Sequence, residues 1–115
     1  MIAVIFESWP KPGKMQTYID MGMALASHLA TLDGFISIER FQSVSDPQKL
    51  VALSFWRDEA AVDAWRKVPV HRAVQTGSRR EVFRDYRLRV AAVIRDYTMV
   101  DREQAPADSR EAEQA

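Results

Sequence analysis

An α+β fold with the element order β-α-β-β-α-β is predicted by three features of this 115-residue sequence. "IAVIFES" (Ile2–Ser8) is dense in β-branched and aromatic residues, the signature of a strand. Met15, Tyr18, Gly22, Leu25, Leu29 and Leu32 then recur at three- and four-residue steps, one apolar stripe along a helix. "GFISIERFQSVSDPQKLVALSFW" (Gly34–Trp56) holds two apolar runs around a turn. That order is the split βαβ, or ferredoxin-like, arrangement: a four-stranded antiparallel sheet with both helices on one face.

Each boundary has a local cause. "WPKPGK" ends the first strand with two prolines and a glycine. "LDGF" ends the helix, with Gly34 suited to the positive φ that follows a helix end. The second strand is expected over about Phe35–Val44. Asp46 and Pro47 favour the turn after it, because proline cannot sit inside a paired strand. The third strand covers about Leu50–Arg57. Asp58 is a candidate N-cap for the second helix, with Glu59 in its first turn. Pro69 breaks or kinks that helix. A short helix at about Val70–Gly77 and a long last strand at about Val82–Tyr97 complete the domain, residues 1–98.

Residues 99–115 form a tail expected to be disordered. From Asp101 onward it has five acids, two bases and no aromatic or β-branched residue, so it has little to bury.

Composition narrows function. Sixteen basic and sixteen acidic residues cancel, so neither nucleic acid nor an anionic membrane is the expected partner. No segment is long and apolar enough to span a bilayer, and the N-terminus lacks a basic n-region. The absence of cysteine removes disulfides and thiolate metal sites, and fits the cytoplasm. Two histidines 43 residues apart do not form a metal site by spacing, and dinucleotide, P-loop and zincin motifs are absent.

Alternation sorts the strand residues into two faces. One, expected beneath the helices, reads Ile2, Val4, Phe6, Ile36, Ile38, Val51, Leu53, Phe55, Leu88, Val90, Ala92 and Ile94. The other is mixed. Trp9, Phe35, Phe41 and Trp56 on it are too much apolar surface for a small monomer to leave in water. A second copy of the sheet is the simplest cover, making a dimeric barrel. Glu39, Arg87 and Arg89, with Glu7, would pair at that interface.

"DGFISIERFQSVSDPQKLVALSFWRDEAAVDAWR" (Asp33–Arg66) resembles the antibiotic biosynthesis monooxygenase family of dimeric α+β barrels. The specific parts are D-G-F before the second strand, a strand ending S-F-W, the acidic helix start D-E, and A-W within that helix. The resemblance extends over about residues 1–98. It implies a homodimer with a pocket between helices and sheet in each subunit. Some members oxidise polycyclic aromatic phenols with O₂ and no cofactor, others act on quinones, and one branch binds and degrades haem. That branch carries an Asn on the first strand, a Trp on the second helix and an axial His ten residues later. The corresponding residues here are Phe6, Trp65 and Gln75.

The expected activity is therefore a cofactor-independent monooxygenase acting on a small phenolic or quinonoid molecule. His71 is the candidate base, since histidine titrates near neutrality. Trp65 orients a flat substrate, and Phe6, Tyr18, Tyr86 and Gln75 line the pocket. The alternatives are a haem-degrading enzyme and a non-catalytic small-molecule-binding dimer. The arginines Arg79, Arg80 and Arg84 are candidates for attracting an anionic substrate.

Overall fold

The computed structural model describes residues 1–68 and 81–114. The strands are β1 (Ile2–Pro10), β2 (Phe35–Gln42), β3 (Leu50–Trp56) and β4 (Phe83–Ala92). The helices are α1 (Met15–Ala30), α2 (Glu59–Arg66) and α3 (Ala107–Gln114). All strand pairs are antiparallel, in the order β2-β3-β1-β4. The β-α-β-β-α-β order is the one expected. The short helix at Val70–Gly77 lies outside the described residues.

The boundaries follow the local chemistry. α1 ends before Gly34, whose φ of +84° suits glycine. A Cβ there would also meet Ala61 Cβ at 2.6 Å, so α2 packs directly on this turn. Asp46 closes the β2–β3 hairpin. Its Oδ1 accepts from Gln48 N at 3.1 Å, and its Oδ2 from Trp9 Nε1 at 3.1 Å. Asp58 caps α2, its Oδ1 accepting from Ala61 N at 2.9 Å.

Register sorts the inner, helix-facing residues into four rungs across β2, β3, β1 and β4. These are Phe35–Trp56–Ile2–Ala92, Ile38–Ser54–Val4–Val90, Arg40–Ala52–Phe6–Leu88, and Gln42–Leu50–Ser8–Tyr86. Two expectations are corrected here. Trp56 and Phe35, assigned to the outer face, lie inside: Trp56 is 0% exposed, and the Phe35 ring packs on it at 5.2 Å. Val51, Leu53 and Phe55, assigned inside, pair with Glu7, Ile5 and Ala3 and face outward.

The cause is that "LVALSFW" is apolar in both parities, so alternation alone cannot choose. Pairing of Val4 with Ser54 decides it. An inward serine is tolerated because Trp56 Nε1 donates to Ser54 Oγ at 2.9 Å. On β2, an irregularity between Phe35 and Ser37 resets the alternation and leaves Ile36 exposed.

Two further expectations shift. β4 ends at Ala92, not near Tyr97. The tail expected to lack order carries α3. Its contacts are local: Arg102 Nη2 donates to Ser109 Oγ at 2.6 Å, Arg102 lies over the Tyr97 ring at 5.1 Å, and Arg110 N donates to Pro106 O at 2.9 Å. Polar side chains there close turns, which composition alone does not reveal.

Ser54→Ala should destabilise the protein by about 1–3 kcal/mol in urea unfolding, because the buried indole N–H loses its acceptor. A second expectation concerns acid. Hydrogen bonds from Arg57 at 3.1 and 3.0 Å, with its charge, hold the exposed Asp33 carboxyl below its ordinary value. Asp58 is lowered first by the Ala61 N–H and then by Arg57. Both favour the fold when ionised. That contribution is complete above the ordinary carboxylate range and is lost as pH falls through the lowered folded values. Arg57→Ala should raise both carboxyl pKa values in an NMR titration, Asp33 the more.

Candidate functional site

The core beneath the helices comes in two parts. At one end Trp56, Phe35 and Trp65 gather, with Trp56 and Trp65 stacked at 5.0 Å. At the other, Phe6, Tyr18, Phe83 and Tyr86 form an edge-to-face and tilted group with centroids 5.2–6.3 Å apart. The residues between these groups are small: Ala52 and Ser54 on β3, Val4 on β1, Gly22 on α1. Large side chains at both ends hold the helices off the sheet, and small ones in the middle leave a void. A cavity of about 360 Å³ results, a volume suited to a small organic ligand.

Its walls are apolar almost throughout. Leu25 and Leu29 come from α1, Val62 and Trp65 from α2, and Ile38, Leu88 and Val90 from the sheet. Glu59, Asp63 and Arg66 of α2 also line it, all at exposed positions. Asp63 is engaged by Lys67 at 2.7 Å and Arg66 at 3.8 Å.

One charged side chain is set deeper. Arg40, on the third rung, reaches across Ala52 to α1 and lines the cavity partly buried. Its guanidinium lies against the Gly22 backbone, where a Cβ would stand 2.7 Å from Cζ and Nη2. Gly22 sits in the middle of α1, where glycine costs about 1 kcal/mol against alanine. The guanidinium's place explains that glycine. Arg40 Nε is buried without a hydrogen-bond partner, and no carboxylate among the described residues forms an ion pair with it.

Beside Arg40 lies the Tyr18 hydroxyl. Burial raises its pKa, outweighing the Arg40 charge and the hydrogen bonds from Arg40 and Ser8 that favour the phenolate. Tyr18 is therefore a neutral hydroxyl donor at ordinary pH. Ser8 is 0% exposed, and its hydroxyl lies beside that of Tyr18.

The structure brings Phe6, Tyr18 and Trp65 together around this cavity. Tyr86 is different: it packs behind Phe6 at 5.6 Å and is not among the lining residues. His71, Gln75, Arg79 and Arg80 lie outside the described residues, and Arg84 is exposed, away from this cavity. On the outer face, Phe41, Glu39 and Arg87 are exposed. Arg89 meets Glu7 at 3.0 Å, and Trp9 donates to Asp46 under Lys49. Arg40 was not anticipated. Continuing the inward run Ile36, Ile38 by two residues would have placed a cation under the helices.

Family comparison agrees with this architecture. The antibiotic biosynthesis monooxygenase model matches residues 1–77, and the chain belongs to that family. A jasmonate monooxygenase of Pyricularia oryzae is 43% identical over 93 residues, which cover 81% of this chain and 43% of that protein. The chain thus spans less than half of that relative's length. The structure of Rv0793 from Mycobacterium tuberculosis superposes with a TM-score of 0.75 at 21% identity, covering 84% of this chain and 98% of that one. A conserved protein from Methanosarcina mazei gives 0.72 at 19%, covering 78% and 89%. Both show a shared fold.

Tyr18 should ionise at higher pH than an ordinary tyrosine, because burial disfavours its phenolate. Because the folded pKa is raised, the buried phenol supports the fold at lower pH, and that support is lost as pH rises through the folded value. Tyr18→Phe should remove one phenolate transition at 295 nm, displaced upward from the ordinary tyrosine value, and make stability less sensitive to alkali.

Proposed function

We propose that this protein is a monooxygenase that oxidises a small, ring-bearing molecule with O₂ in the cavity between α1, α2 and the sheet. Family membership and the apolar, ligand-sized cavity support the reading; the cavity is the observation that carries it. The relative from Pyricularia oryzae, named a jasmonate monooxygenase, supports oxygenation of a small molecule.

The proposed chemistry needs no resident cofactor when the substrate is phenolic or quinonoid. A phenolate or stabilised carbanion can give one electron to O₂ directly, and the radical pair recombines. For a ring methylene, CH₂ + O₂ becomes C=O + H₂O, with the substrate supplying all four electrons. The protein must then remove a proton, stabilise the resulting oxyanion and exclude water. His71, six residues after Trp65, is the proposed base. Trp65, stacked on Trp56, gives the flat wall that orients a ring. Arg40 and Tyr18 supply the polar end. Phe6, where the haem-degrading branch carries Asn, is packed in the aromatic group and offers no polar contact. Among the described residues, the lining presents neither imidazole nor thiolate to a haem iron.

A homodimer belongs to the same proposal. Ile5, Val51, Leu53 and Phe55 make an apolar strip across the outer face, with Phe41 exposed on the edge strand. A second copy laid face to face would cover it.

O₂ uptake with dihydroxyanthracene and hydroquinone substrates tests the activity. Wild type should consume O₂, His71→Ala should lose at least about 100-fold in rate, and Ala52→Phe should abolish turnover by filling the cavity. No uptake on any member of a phenol panel, or full activity in Ala52→Phe, would overturn it. Light scattering should give about twice the 13.2 kDa chain mass, falling to one chain mass in Phe55→Lys.

A further inference from the structure

Taking the cavity as the substrate site, we propose that Arg40 is an anion anchor and that the substrate is an amphipathic organic acid. Its carboxylate engages the guanidinium, and its hydrocarbon body lies along Leu25, Leu29, Ile38 and Trp65.

A guanidinium is always charged, so a partly buried one needs a partner. Arg40 has no ion pair among the described residues, and its Nε is buried and unpartnered. Residues 69–80, "PVHRAVQTGSRR", contain no carboxylate that could supply one. The acids that line the cavity, Glu59 and Asp63, lie on α2 at exposed positions, and Asp63 is engaged by Lys67 and Arg66. The charge at depth is therefore positive, while the mouth carries both signs.

The surroundings are shaped for that charge. Ala52 lets the side chain pass, and Gly22 leaves room for the guanidinium against α1. The Tyr18 hydroxyl beside it can donate to the same anion. Arginine binds a carboxylate through two parallel N–H bonds, and a polar end in an otherwise apolar cavity fixes which end of a ligand enters first. The jasmonate in the relative's name, a carboxylate, has the chemistry this site would select.

The test is calorimetric binding under anaerobic conditions, so it does not depend on turnover. The probes are jasmonate and its methyl ester, 2-naphthylacetate and its methyl ester, and neutral 2-naphthol. Wild type should bind each acid roughly 10- to 100-fold more tightly than its ester, the range expected for hydrogen bonds to a charged group. Arg40→Met should lose that preference and still bind the esters, which shows an intact cavity. Gly22→Ala should lose it too, since the new methyl displaces the guanidinium while alanine favours the helix. Esters or naphthol bound as tightly as the acids by wild type would overturn the proposal. So would an acid preference that survives in Arg40→Met. Failure of every probe to bind would overturn it together with the reading of the cavity as a substrate site. Tight acid binding without O₂ uptake would support the anchor and count against the monooxygenase.

Discussion

The spacing between helices and sheet is the constraint on which this structure depends, and side-chain volume sets it. The inner face of β3 runs Leu50, Ala52, Ser54, Trp56: large at the ends, small in the middle. α1 repeats the pattern with Tyr18, Gly22 and Leu29, all buried. Aromatic rings at both ends act as spacers, so the middle cannot collapse without breaking contacts at an end. An interior normally fills to near-crystalline density. Here it is kept open, and the stability given up must come from the two aromatic groups and the hydrogen-bonded turns.

The same arrangement explains why polar atoms are tolerated so near the core. Ser54 is held by the Trp56 indole, and Asp58 by the first turn of α2. Arg40 differs, since the Nε of this cavity-lining cation has no such internal partner. Unsatisfied polar groups in a native interior are uncommon and call for an explanation. A group arranged for a ligand is stabilised only when the ligand arrives, which separates it from the groups that serve the fold alone.

Much of this was legible in the sequence. Periodicity gave the α1 stripe, and Gly34, Asp46 and Asp58 marked boundaries through their own chemistry. Facing was harder. β1 reads unambiguously because Glu7 opposes Phe6, but β3 is apolar at nearly every position, and only its partners in the sheet decide which side is inside. The extra residue near Ile36 is invisible to a period-two reading. Arg40 was passed over because an arginine between Glu39 and Phe41 looks like a solvated charge until the register turns it inward. The local ties of the tail, such as Arg102 to Ser109, depend on a turn that composition does not encode.

The irregularity near Ile36 has an effect beyond re-aiming Phe35. β2 is an edge strand, and an edge offers a row of free N–H and C=O groups to any passing strand. The register shift breaks that row, and the pairing of β1 with β4 has its own shift between Trp9 and Pro10. Strands interrupted this way are poor templates for lateral growth. The shifts thus disfavour edge addition, which has no natural stop, and leave the sheet face, where contact ends after one partner, as the surface proposed for a second copy.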